Sequence, residues 1–196
     1  GELPRVQSLL SKQPQLLDSQ DDFKRTSLLY AAKAGHAKVV QYLLKVGSKS
    51  ACLRDFYDLT AVHWAAMYAK NDVLKVFAEH KIDLNCRAME GQTPLHMAMG
   101  NMFSNAPKHE DTVELLVSLK VDVNAQDNNG RAPLHVGASL VGKAESVRAL
   151  LDSSKEVKVD LRSKDGSTAL HTAAAFGRAD IAEMLLAKGA NPTLKR

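Results

Sequence analysis

The chain repeats one short pattern at intervals of 33 to 39 residues, and this repetition restricts its fold more than any other feature. Each copy begins with Thr or Ala and continues with small and apolar residues, in four of the five copies together with a His. Repetition at this period indicates stacked units that bury their apolar faces against one another instead of around one central core. The five copies read TSLLYAA from residue 26, TAVHWAA from 60, TPLHMAM from 93, APLHVGA from 132 and TALHTAA from 168.

A second apolar segment follows each copy, and its apolar residues recur at the spacing of a helix. Turn-forming sequences such as 123–130 (VNAQDNNG) and 189–192 (GANP) lie between the units. Each unit is therefore predicted to consist of a helix, a short loop, a second helix and a turn. The second segments are VVQYLL (39–44), VLKVFA (73–78), TVELLV (112–117), SVRALL (146–151) and IAEMLL (181–186).

Three sequences resemble the ankyrin repeat: TPLH at 93–96, the pair Gly35-His36, and GANP at 189–192. The resemblance covers nearly the whole chain and implies an all-α solenoid of stacked helix-loop-helix units joined by β-hairpin-like turns. Residues 1–196 would then form a single ankyrin-repeat domain. Its predicted units are a partial repeat at 1–20, repeats at 21–54 and 55–87, a repeat with an insertion between its helices at 88–126, a repeat at 127–162 and a C-terminal repeat at 163–196.

Both ends of the chain resemble interior parts of such a stack. Residues 1–10 align with a second helix, as comparison with 35–44 shows, so the first helix of that unit would lie outside this sequence. The last unit keeps apolar residues where a terminal repeat needs a polar outer face. We therefore expect the module to be part of a longer chain.

The composition excludes several other classes of protein. The net charge is +4 and evenly spread, with 13 basic and 10 acidic residues in 1–98 and 13 and 12 in 99–196, so neither half resembles a nucleic-acid-binding arm. No apolar run approaches the roughly 18 residues of a membrane span, and no membrane insertion is expected. The two cysteines, Cys52 and Cys86, form no CxxC motif. This cysteine usage predicts a reducing intracellular location, in the cytoplasm, the nucleus or both.

No pattern in the sequence predicts catalysis, a metal site or a cofactor. Four histidines occupy one repeat position, and equivalent positions of stacked helices lie roughly 8–10 Å apart, too far to share an ion. The resemblance implies instead that these histidines hydrogen-bond backbone and connect the repeats. The segment 137–143 (GASLVGK) matches a nucleotide-binding loop only in part, because Ala144 has no hydroxyl for magnesium. The four histidines are His63, His96, His135 and His171.

In the ankyrin family, partners bind the concave face, which consists of turn tips and the exposed ends of the inner helices. Here these positions carry many aromatic and apolar residues in the second to fourth units, and such patches mark interaction sites. The alternative is that some of these side chains pack against one another within the turns. The candidate binding residues are Phe23, Arg25, Phe56, Tyr57, Leu59, Trp64, Met67, Tyr68, Met89, Glu90, Met102, Phe103 and Arg131.

Two further features of the sequence suggest candidate sites. The insertion at 100–107 places Met102 and Phe103 at its centre, where they would extend the binding surface or reflect tolerated drift. Asn124 occupies a turn position that resembles the substrates of asparaginyl hydroxylation in ankyrin repeats. Its alternative role is to bridge turn backbone, as Asn often does.

The function predicted from these observations is a non-catalytic module that binds a protein or peptide on its concave face. One alternative is a regulatory or substrate-targeting module of a larger enzyme. Another is an inhibitor that masks a transcription factor, which would require a charged partner surface and salt-dependent binding. A nucleotide-binding enzyme would require Lys143 for its affinity for ATP.

Overall fold

The computed structural model describes residues 2–100 and 109–196, and these residues form two layers of short helices. Within them there is no β-strand, only isolated bridges, and no helix is long and apolar enough to cross a membrane. The prediction of an all-α fold is confirmed. The helices are α1 (Leu3–Lys12), α2 (Ser27–Ala34), α3 (Ala37–Lys45), α4 (Ala61–Met67), α5 (Asn71–Glu79), α6 (Pro94–Met99), α7 (His109–Ser118), α8 (Pro133–Ala138), α9 (Ala144–Ser153), α10 (Ala169–Ala175) and α11 (Ala179–Ala187).

The inner layer consists of α2, α4, α6, α8 and α10, and each helix packs against the next. The outer layer continues from α1 through α3, α5, α7 and α9 to α11 in the same way. Between the layers lies a continuous apolar core whose largest buried side chains include Phe77, Leu28, Leu43, Leu74 and Leu95. No unit buries these side chains alone, so stability is shared between neighbouring units.

Three of the inner helices, α4, α6 and α10, begin with a Thr and a His that cap each other. In α4, the Thr60 backbone N–H donates to His63 Nδ1 (3.3 Å), and the Thr60 hydroxyl lies 2.9 Å from the same nitrogen. Equivalent pairs start α6 and α10, which satisfies N–H groups that a helix start leaves without partners. Because Nδ1 accepts, the ring proton is on Nε2, which is free to donate elsewhere.

Three of the four histidines at this repeat position connect consecutive units through Nε2. His63 donates to the Gln92 carbonyl (3.2 Å), His96 to the Arg131 carbonyl (2.9 Å) and His135 to the Ser167 carbonyl (3.1 Å). All three imidazoles are buried. The structural role that the sequence assigned to these histidines is confirmed at these positions.

The units are joined by turns of five residues in which the first N–H donates to the fifth carbonyl. In each turn the fourth residue has a positive φ, between 58° and 82°. Adjacent turns are also linked, as by the Lys164 N–H to the Asn129 carbonyl at 2.9 Å. The five turns span 21–25, 55–59, 88–92, 127–131 and 163–167.

The fourth turn position provides a test of backbone strain. Gly130 has φ 74°, and a Cβ there would lie 2.7 Å from the Lys164 backbone nitrogen. We expect Gly130→Ala to lower the free energy of unfolding by about 2 kcal/mol, measured by urea denaturation. Lys24 holds the equivalent position with φ 58°, so Lys24→Gly should change stability by no more than about 0.5 kcal/mol. Equal effects of the two substitutions would contradict this account.

Candidate functional site

An open groove of about 1390 Å³ runs along the concave side, lined by the turns and by the exposed ends of α4, α6, α8 and α10. It brings together most of the residues that the sequence singled out for binding. These groove residues are Tyr57, Leu59, Trp64, Met67, Tyr68, Met89, Glu90 and Arg131.

Aromatic side chains cluster at the N-terminal end of the groove. The Trp64 and Tyr68 rings stack with centroids 5.6 Å apart and an interplanar angle of 19°. Phe56 and Tyr57 meet edge to face at 5.9 Å. Phe56 is 70% exposed and Tyr57 54% exposed, so this pair is available to a partner. We call Phe56, Tyr57, Trp64 and Tyr68 the aromatic cluster.

A buried carboxylate holds this cluster in place. Asp55 is only 4% exposed, and its Oδ2 accepts the Trp64 indole N–H at 2.7 Å. Its Oδ1 accepts the backbone N–H groups of Tyr57 and Leu59, both at 2.9 Å. One side chain therefore fixes both the turn that presents Tyr57 and the orientation of Trp64.

Two basic side chains of the chain, Lys33 and Arg25, lie over aromatic rings of the predicted units 21–54 and 55–87. The Lys33 ammonium lies 4.4 Å from the Trp64 centroid and 5.2 Å from the Tyr68 centroid. The Arg25 guanidinium lies 4.5 Å from the Phe23 centroid and 4.9 Å from that of Tyr30. The faces of these rings thus favour positive charge, as expected from their quadrupoles.

Two of the predicted binding residues are not exposed. Leu59 is 8% exposed and Met67 5% exposed, and both pack with Ala88 in a small cluster beneath Trp64 and Tyr68. The expectation that these two side chains belong to an exposed patch was wrong, because both are packed, as the alternative interpretation allowed for some of the candidates. Their side chains support the aromatic cluster from below, because the following turn closes over them.

The remaining candidates fall into two groups. Phe23, Arg25 and Phe56 lie on turns beside the groove and do not line it, although Phe56 contacts Tyr57. Met102 and Phe103 lie outside the described residues.

The centre of the groove is polar, and several of its charged side chains form ion pairs. Arg131 lies 2.9 Å from Asp127, which is fully buried, and 3.6 Å from Glu90. Further along, Asp165 pairs with Arg196. Hydrogen bonding and ion pairing pull the pKa of Asp165 well below its usual range.

The C-terminal end of the groove carries exposed apolar residues that the sequence analysis did not select. Leu140 is 71% exposed and Phe176 is 49% exposed, and both line the groove. Arg178 fixes the loop of Leu140 by donating from Nη1 to the carbonyls of Ser139 (3.0 Å) and Gly142 (2.7 Å). Their positions just after inner helices could have indicated exposure. The last units carry mostly polar residues at such positions, however, so these two apolar residues were not selected.

Asn124 has the backbone-bridging geometry considered as its alternative role. Its amide N–H donates to the Glu156 carbonyl, and its Oδ1 accepts the Lys158 N–H, both at 2.8 Å. Both partners belong to the following connection between units. Hydroxylation of Asn124 stays a prediction.

The two cysteines are free and line a second, smaller cavity of about 430 Å³. Burial raises the pKa of the Cys86 thiol to about 11, so it is protonated at neutral pH. Across residues 2–100 and 109–196, no three His, Cys, Asp or Glu side chains are grouped so that they could hold a metal ion.

Comparison with known proteins identifies the family. The family model described as ankyrin repeats (3 copies) matches residues 1–88, 50–127, 80–159 and 102–196, which together span the chain. This chain belongs to the ankyrin-repeat family, whose members are generally protein–protein interaction modules and typically non-catalytic.

Similar segments occur in much longer proteins. The chain is 31% identical over 138 residues to neurogenic locus notch homolog protein 1 of Homo sapiens, which is 69% of this chain and 5% of that protein. It is 37% identical over 76 residues to BCL-6 corepressor-like protein 1 of Homo sapiens, which is 39% of this chain and 4% of that protein. Inversin of Gallus gallus shares 29% identity over 97 residues, 50% of this chain and 9% of inversin. The matched region is thus less than a tenth of each relative.

Proposed function

We propose that the concave groove binds a protein or peptide partner, with the aromatic cluster as its main anchor. The observation that carries this proposal is the exposure of Phe56 and Tyr57 beside the stacked Trp64 and Tyr68. Large aromatic side chains supply much of the binding energy at interfaces, especially where they are central and well supported. An exposed aromatic surface of this kind is a typical mark of an interaction site.

The groove is preorganised for such binding. Asp55 fixes Trp64 and the turn of Tyr57, while Leu59 and Met67 fill the space beneath the rings. Side chains already ordered in the free protein lose little further entropy when a partner binds. A larger part of the favourable contact energy with the partner then contributes to the binding affinity.

The titratable groups of the groove support a non-catalytic role. His96 and His135 are buried, which lowers their pKa and keeps them neutral, and both ring nitrogens of each are engaged in hydrogen bonds. Glu90 and Asp165 face arginines. Neither of these two imidazoles is therefore poised to act as a general acid or base near neutral pH.

Substitution of Tyr57 tests this function. We expect Tyr57→Ala to weaken partner binding about tenfold or more and to leave the thermal midpoint nearly unchanged, because the ring is half exposed. Tyr68→Ala should weaken binding similarly but also cost some stability, since Tyr68 packs over Leu59 and Met67. Affinity is measured by titration with a partner selected from a random peptide library displayed on phage.

The matched control is Leu186→Ala, which removes an exposed side chain of α11, outside the groove. It should leave the affinity unchanged. If Tyr57→Ala alters unfolding but not the affinity, the aromatic cluster is structural and the proposal fails.

A further inference from the structure

The Trp64–Tyr68 stack holds a cation in the free protein, although the cation comes from the chain itself. The Lys33 ammonium lies within 5.2 Å of both ring centroids. Within the described residues, Lys33 has no carboxylate partner, so the ring faces are what holds its charge. Contacts of this kind at partly exposed sites contribute only about 0.5–1 kcal/mol. A second cation can therefore replace Lys33 at little cost.

The surroundings of the stack also favour positive charge. The indole N–H of Trp64 donates to the buried Asp55 carboxylate at 2.7 Å, which places a negative charge next to the ring and fixes its plane. Trp64 and Tyr68 line the groove, whereas Lys33 does not. Glu90, 58% exposed at its side chain, lines the same groove, where its carboxylate lies 3.6 Å from Arg131. Trp faces are the strongest aromatic sites for cations.

We propose that the Trp64–Tyr68 stack is a subsite for a cationic side chain of the partner, an arginine or a lysine, and that Lys33 is its internal competitor. This inference rests on the proposed function, because it assigns the chemistry of one anchor of the groove partner. An arginine is the better ligand, since its planar guanidinium stacks on aromatic faces and is less strongly hydrated than an ammonium. Lys33 occupies the site until such a side chain displaces it.

The single tryptophan of the chain gives a direct measurement. The probe is N-acetyl-arginine amide, titrated at constant ionic strength while the fluorescence of Trp64 is recorded. N-acetyl-citrulline amide is the matched neutral probe, because it has nearly the same shape without the charge. We expect the arginine probe to bind at least fivefold more tightly than the citrulline probe.

Variants of Lys33 test the competition. Lys33→Gln removes the internal cation and should tighten binding of the arginine probe about fivefold, the factor that corresponds to about 1 kcal/mol. Lys33→Glu should tighten it further by adding a carboxylate. Lys38→Gln, which removes an exposed lysine of α3, is the control and should have no effect. Equal binding of the two probes, or no gain in Lys33→Gln, would overturn the proposal.

The outcome is separable from that of the proposed function. If the probes do not distinguish charge but Tyr57→Ala still weakens binding of the selected peptide, the groove binds a partner and only the cationic subsite fails. If the probes behave as expected while Tyr57→Ala leaves peptide binding intact, the subsite stands and the proposed anchor fails.

Discussion

Replacement of Asp55 by alanine is expected to lower the free energy of unfolding by about 3 kcal/mol. The Asp55 carboxylate is buried and accepts three hydrogen bonds, from the Trp64 indole and from the backbone N–H groups of Tyr57 and Leu59. Hydrogen bonds to charged groups contribute about 1.5–3 kcal/mol each, and donors left without a partner add a desolvation cost. The contributions of neighbouring hydrogen bonds are not additive. We therefore expect the loss of stability to equal the contribution of about one to two such bonds.

The measurement is urea denaturation followed by Trp64 fluorescence. The folded Asp55→Ala variant should also show an altered Trp64 emission spectrum, because the indole N–H loses its acceptor. The control is Asp22→Ala, in the preceding turn, where the side chain is exposed and no hydrogen bond to it is found within the described residues. That substitution should change stability by less than about 0.5 kcal/mol. A similarly small loss in Asp55→Ala would show that the turn holds its shape without the carboxylate.

Mild acid is expected to destabilise the protein through its buried histidines. Burial lowers the pKa of His63 from 6.5 to about 4, and it lowers the pKa of His96 and His135 as well. A histidine with a lowered pKa favours folding in its neutral form. Its contribution is complete above pH 6.5 and is lost as the pH falls towards 4. For His63 alone, the loss between pH 7 and pH 5 is about 2 kcal/mol.

Urea denaturation at pH 7, 6 and 5 measures this dependence. In His63→Gln, the fall in stability between pH 7 and pH 5 should be about 2 kcal/mol smaller than in the wild type. His36→Gln changes an exposed histidine and is the control for the substitution itself. The pKa of Asp21 is lowered to about 2, so its contribution is lost at a more acidic pH than this range. A free energy of unfolding that stays constant between pH 7 and pH 5 would contradict this account, because it would mean that the histidines bind protons equally well in the folded and unfolded protein.

Much of the fold was predictable because the signals that specify it are local. The Thr that caps an inner helix and the His that caps it in return are three residues apart, as in Thr60 and His63. The turns depend on residues within five positions of each other, such as Asp55 and Leu59. These contacts repeat with the sequence, so each copy of the pattern predicts the same unit.

The candidate site was predicted less completely, because exposure depends on residues far away in the sequence. Leu59 and Met67 occupy positions that are often free, yet Ala88 of the next unit packs against them. The Leu140 side chain is exposed in the groove, and its loop is held by hydrogen bonds from Arg178, about forty residues later in the chain. Neither result follows from the repeat pattern at the residue itself.

The sequence by itself determined the family, the helical units, the hairpin-like turns and the histidines that connect them, because each rests on contacts within a few residues or on the period. Only the tertiary structure decided which aromatic rings face the groove, which apolar residues lie beneath them, and that Lys33 of one unit covers Trp64 of the next. Those features arise where side chains of adjacent units meet. Their packing depends on the identities of residues about one repeat apart, which the shared pattern leaves free to vary.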